Sequence, residues 1–111
     1  MHARVTRSRV APHVVDEAVR IVASSIVPAA KEQPGFRGYL HLVDRARGEG
    51  LSITLWTTEE DMRVGETGPY YRAQIDKVRS LLAAEPEVGG FEVVVHELGT
   101  ADDTESGEAI R

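Results

Sequence analysis

The chain has no cysteine, which excludes a disulfide framework, a thiolate metal site and a cysteine nucleophile. Aromatic residues are scarce: one tryptophan, three tyrosines and two phenylalanines among 111 residues, so the position of each is informative. No apolar run approaches the ~20 residues of a membrane-spanning helix. The start, MHARVTRSRV, lacks the apolar core of a secretory signal, and a soluble cytoplasmic protein is expected. Positive charge is also in short supply. With 13 Lys and Arg against 18 Asp and Glu, net charge is −5, which argues against a nucleic-acid surface because phosphate binding needs clustered cations. Arg4, Arg7 and Arg9 form the densest basic patch, and on an extended segment they read as solvated or ion-paired rather than as a phosphate site. What remains suits one domain able to bury a core unaided.

Residues 2–10 alternate polar and β-branched and predict a strand. Ala11-Pro12 stops it. A helix is expected from near His13, with Asp16 and Glu17 in its early turns, where the helix dipole favours carboxylates. Val15, Ala18, Val19, Val22 and Ile26 form its buried stripe. Pro28 is expected to disrupt it, and Pro34-Gly35 to end it.

From Pro34 to Met62 the sequence reads PGFRGYLHLVDRARGEGLSITLWTTEEDM. Two alternating segments flank a glycine-rich turn, which predicts a β-hairpin. Period-two geometry puts Leu40, Leu42, Leu51, Ile53 and Leu55 on one face, with Tyr39, His41, Ser52, Thr54 and Trp56 on the other. A turn centred on Arg47-Gly48 would pair Leu42 with Ile53, Leu40 with Leu55, His41 with Thr54 and Tyr39 with Trp56. Thr57 or Thr58 can cap the next helix, and Thr57 with Glu60 has capping-box spacing. Gly65 and Gly68-Pro69 are expected to interrupt that helix, and Tyr71, Ile75, Val78 and Leu82 to form the stripe of another. Phe91–Leu98 predicts a last strand. Residues 99–111 are acidic and poor in large apolar side chains, and are expected to form a mobile tail to a domain of residues 1–98.

The order strand, helix, strand, strand, helix, strand is the split βαβ arrangement of ferredoxin-like α+β folds, with an antiparallel four-stranded sheet. Two helices cover only one face of such a sheet, and neither hairpin face is polar enough to sit in water. A homodimer in which two sheets pack face to face, a dimeric α/β barrel, is therefore expected.

The element order, the PGF that opens the second strand and the LSITLWTTEEDM passage together resemble the antibiotic biosynthesis monooxygenase superfamily, over roughly residues 2–98. The resemblance implies a dimeric barrel with a pocket between helices and sheet. It also implies cofactor-free oxygenation of a flat aromatic or quinol-like small molecule, or, in a haem-degrading branch, haem chemistry. Trp56 matches the tryptophan that both enzyme types place at this strand end. Ser52 stands where the anthrone oxygenases carry an asparagine. The chain contains no asparagine, and no histidine between Thr57 and Pro86, so the haem-degrading reading loses two of its three residues.

Each candidate has a sharper and a plainer reading. Trp56 either stacks on a ligand or packs as a core aromatic beside the helix start. His41 is a candidate general base, although a hydrogen-bonded sheet histidine carries more weight. Tyr71 is the tyrosine expected to face the sheet. The catalytic candidates are thus His41, Trp56 and Tyr71; the substrate-binding candidates are Tyr39, Ser52, Thr54 and Arg72. The four histidines show no metal-ligand spacing, and neither metal nor cofactor is expected. The competing function is a non-catalytic dimeric barrel that binds a small hydrophobic metabolite.

Overall fold

The structure, a computed structural model, describes residues 1–99. Four strands, β1 (His2–Arg9), β2 (Phe36–Asp44), β3 (Glu49–Trp56) and β4 (Glu87–Glu92), form one antiparallel sheet in the order β2-β3-β1-β4. Between β1 and β2 run α1 (Val15–Ile21) and α2 (Val27–Lys31); between β3 and β4 run α3 (Glu59–Thr67) and α4 (Pro69–Asp76). This is the expected ferredoxin-like α+β architecture. The expected acidic tail falls on residues outside the described ones.

Pro28 disrupts the regular helix, as expected, without ending it: a further turn runs to Lys31. A wide π-turn, Val22–Ile26, joins α1 to α2, and the Val27 N–H reaches back five residues to the Val22 carbonyl. Proline lacks an N–H and crowds the carbonyl four residues earlier, and the wider turn just before it takes up that conflict. The apolar stripe thus stays continuous, and Val22 and Ile26 pack with Val78 in a core cluster that Tyr39 and Leu82 flank.

The hairpin faces are as expected, but its register is shifted by two residues. Leu42 pairs with Leu51, Leu40 with Ile53, His41 with Ser52 and Tyr39 with Thr54. The turn closes one residue earlier than expected because Gly48 sits in the left-handed region, at φ +72°, where its N–H meets the Asp44 carbonyl at 2.9 Å. Its own carbonyl accepts the Val10 N–H at 2.8 Å, which ties the turn to the end of β1. A two-residue shift changes every partner but keeps every face. A bulge between Phe36 and Gly38 then sets Phe36 opposite Trp56. Gly48→Ala is expected to cost roughly 2–3 kcal/mol in urea unfolding, about 1–2 of it from a left-handed non-glycine residue. The remainder comes from a Cβ that would collide with the Val10 carbonyl. A loss below about 1 kcal/mol would show the turn to be slack.

The helix cap is Thr58, whose Oγ1 accepts the Asp61 N–H at 3.0 Å; Thr57 instead donates to the Gly35 carbonyl at 3.3 Å. Gly65 lies within α3, which ends at Gly68. The last strand is displaced from the expected Phe91–Leu98. It pairs from Glu87, opposite Arg7, to Glu92, opposite His2, and beyond it the Val93 N–H bonds the Met1 carbonyl. Val94 and Val95 beyond it are 80% and 81% exposed.

The helices cover the face that carries Tyr39, His41, Ser52 and Thr54 together with Arg4, Thr6 and Ser8 of β1. The other face, with Leu40, Leu42, Leu51, Ile53, Val5 and Phe91, has no helix over it among the described residues. Leu40 and Leu42 are 49% and 48% exposed there, and Phe91 is also exposed. Among the described residues no helix is long and apolar enough to cross a membrane.

Candidate functional site

A cavity of about 90 Å³ lies between the helix-covered sheet face and the helices. A cavity needs about 10–15 Å³ on this measure to hold one water, so this one has room for several. Its walls from the helical side are apolar, among them Val15, Val22, Ile26, Ile75 and Val78. The sheet supplies the polar floor. Strand alternation aims every second side chain of β1, β2 and β3 into it.

On that floor the register places His41 directly opposite Ser52. Ser52 Oγ lies 2.8 Å from His41 Nδ1 and accepts a hydrogen bond from the Tyr39 hydroxyl at 3.1 Å. Burial lowers the His41 pKa below the usual histidine value, so the ring is neutral near pH 7. A neutral ring accepting the Ser52 hydroxyl proton at Nδ1 carries its own proton on Nε2. Three side chains thus form one chain of donors and acceptors, Tyr39 to Ser52 to His41. Tyr71 reaches the same floor from α4, its hydroxyl 3.2 Å from Thr6 Oγ1. Burial raises the pKa of Tyr39 and Tyr71, and that of Tyr70 to about 12, so all three remain phenols and hydrogen-bond donors at neutral pH.

Five of the seven candidates, Tyr39, His41, Ser52, Thr54 and Tyr71, border this cavity. Trp56 does not. It is 1% exposed, its Nε1 donates to Thr54 Oγ1 at 2.8 Å, and its ring meets Phe36 edge-on at 6.0 Å. Of its two readings, the core aromatic is the one the geometry matches. Arg72 is exposed and does not border the cavity.

The arginine that borders the cavity is Arg4. Of the two expectations for the basic patch, Arg4 meets the paired one and not the solvated one: it is 3% exposed with Glu66 3.5 Å away, while Arg9 pairs at the surface with Glu49 at 2.8 Å. The Arg4 guanidinium carbon sits 5.3 Å from the centre of the Trp56 ring and 5.0 Å from that of Tyr71. Its Nη2 donates to the Met62 carbonyl. Arg4 pairs with Thr54 across β1 and β3. Even-numbered positions of β1 therefore share the face of Thr54 and Trp56, the signal that could have found Arg4, Thr6 and Ser8 once the strand pairing was known. Among the described residues no group of three His, Asp or Glu side chains is arranged for a metal ion.

Neither a protein-family model nor a curated protein matches this sequence. Solved structures do match. A monooxygenase from ActVA-Orf6 of Streptomyces coelicolor, solved in complex with nanaomycin D, superposes with a TM-score of 0.73 at 17% identity, over 89% of this chain and 92% of that one. The chain has the antibiotic biosynthesis monooxygenase fold. SnoaB, a cofactor-independent oxygenase from Streptomyces nogalater, shares this monooxygenase fold at 22% identity, over 86% and 94% of the two chains, with a TM-score of 0.63. So does NE2512 from Nitrosomonas europaea, a protein of unknown function, at 17% identity over 90% and 95%, with a TM-score of 0.71. At these identities the likeness speaks for the fold. On that fold, what this chain offers chemically is its own floor of hydroxyls, imidazole and guanidinium.

Proposed function

We propose that this chain is a cofactor-independent monooxygenase of a small flat aromatic or quinol-like compound, working as a homodimer. The observation that carries the reading is the Tyr39–Ser52–His41 chain on the floor of an otherwise apolar cavity. An electron-rich aromatic with an acidic C–H or O–H can reduce oxygen itself once deprotonated. In the net reaction a ring CH2 becomes C=O, one atom of O2 enters the product and the other leaves as water. The substrate supplies all the electrons. The protein has to exclude water, remove a proton and stabilise the oxyanion that forms. His41 takes that proton through Ser52, and the Tyr39 and Tyr71 phenols are the donors placed near the developing charge. The same fold in an oxygenase described as cofactor-independent supports the reading.

The test is oxygen uptake by the purified protein with a panel of anthrones and naphthalene quinols. Uptake above the uncatalysed rate is expected, with His41→Gln about 10²-fold slower or more at intact circular dichroism. His41 must be neutral to accept a proton, and its pKa lies below the ordinary value near 6.5. The rate is therefore expected to be flat around neutrality and to fall only on the acid side of about pH 6.5. No uptake with any compound removes the oxygenase reading.

Two observations favour the alternative of a non-catalytic metabolite-binding barrel. Trp56 is covered by Arg4 and does not reach the cavity, and the Ser52 position has no carboxamide. A small aromatic retained through purification without oxygen uptake would decide for it.

A further inference from the structure

Arg4 is the one cationic side chain bordering the cavity among the described residues. A guanidinium taken out of water needs its donors satisfied, or it costs several kcal/mol. Here they are only partly satisfied. Nη2 has the Met62 carbonyl, while Nε lies 3.5 Å from Glu66 Oε2 without a hydrogen bond, and both of those atoms are buried with no partner. The group is nonetheless held in place. Trp56 and Tyr71 each present a ring to it, and a planar guanidinium gains from such contacts when desolvated. Gly65 of α3 makes the space: a Cβ there would lie 3.0 Å from Nη2. The tyrosines around it stay un-ionised, so none of them supplies an anion.

We propose that the cavity is selective for anions: it takes a small flat aromatic bearing a carboxylate, and seats that carboxylate on the Arg4 guanidinium. The apolar helical walls accept the rings, and Arg4 offers a carboxylate the guanidinium N–H groups that the Met62 carbonyl does not take. Glu66 then acts as the resident counter-ion that keeps the empty site near neutral. This inference rests on the cavity being the ligand site of the proposed function, and not on oxygenase chemistry.

The test is calorimetric titration near neutral pH with 2-naphthoate and its uncharged isostere 2-naphthamide. The native protein is expected to bind naphthoate about tenfold tighter or more, as charge-assisted hydrogen bonds imply. Arg4→Met keeps the bulk of the stem and removes the guanidinium. It is expected to abolish the preference while leaving naphthamide binding in place. Trp56 is the only tryptophan, so its indole N–H gives one signal in a proton–nitrogen correlation spectrum. That signal is expected to shift with naphthoate in the native protein and not in Arg4→Met. Equal affinities in the native protein, no binding of either probe at millimolar concentration, or a preference that survives Arg4→Met would each overturn the proposal. Should Arg4→Met fail to fold, the native affinity ratio and the Trp56 signal decide by themselves. Anion preference without oxygen uptake keeps this inference and removes the proposed reaction; uptake without anion preference does the reverse.

Discussion

Trp56→Ala is expected to lower stability by about 3–5 kcal/mol, the cost of emptying a fully packed aromatic site. Trp56 and Met62 are the two largest fully buried side chains described. Around the indole, Phe36 packs edge-on, Thr54 accepts its N–H, and Arg4 lies over its ring. Removing the ring leaves a cavity and takes one of two aromatic faces from a buried cation. The second effect separates two variants. Trp56→Phe keeps an apolar face under Arg4 and is expected to lose less than half as much. Urea unfolding of both variants measures this directly. A Trp56→Ala loss below about 1.5 kcal/mol would mean that the strand end tolerates repacking and that Arg4 is held chiefly by Met62 and Tyr71.

The second large effect concerns association. In the proposed dimer, the sheet face carrying Leu40 and Leu42 packs on its counterpart from a second copy. The occupant is argued from the patch itself. It is a broad apolar sheet surface that no helix among the described residues covers, continuous in character with the exposed Phe91 of β4. Extended Val94 and Val95 add further apolar surface beyond the reach of β1. Light scattering at micromolar concentration is expected to give the mass of two chains. Replacing Leu40 and Leu42 together by glutamate removes roughly 1 kcal/mol of burial from each of the dimer's four such side chains, which are already about half covered in the single chain, and so weakens the dimer by about 10³-fold or more. A monomeric double variant with native circular dichroism is the expected result. A monomeric native protein would remove the dimer, and a dimeric double variant would move the interface elsewhere.

Much of the fold was legible because it is written in local periodicities. The hairpin faces came from alternation, which no two-residue slip alters, so Tyr39, His41 and Ser52 were grouped correctly while every named partner was wrong. The partners depended on Gly48, whose left-handed turn is held by Val10, far away in sequence. Likewise Phe91–Leu98 has strong strand character, but a strand needs a template. The pairing with β1 runs instead from Glu87 to Glu92. The helix stripe survived Pro28 for a reason no periodicity carries, a π-turn that widens the backbone before the proline.

The sequence by itself determined the order of the elements, which side chains share a face, and that one tryptophan ends the hairpin. Side-chain direction is a property of a few consecutive residues, so those conclusions needed no partner. Only the tertiary structure decided that Trp56 lies beneath a charge instead of against the cavity, that Arg72 points away, and that Arg4 is the guanidinium inside. Charged residues near a chain start read as solvated because their usual surroundings are water. Arg4 escapes that rule through contacts with Trp56, Met62, Gly65 and Tyr71, each more than 50 residues away along the chain and brought to it only by the pairing of β1 with β3 and the packing of α3 and α4 on the sheet.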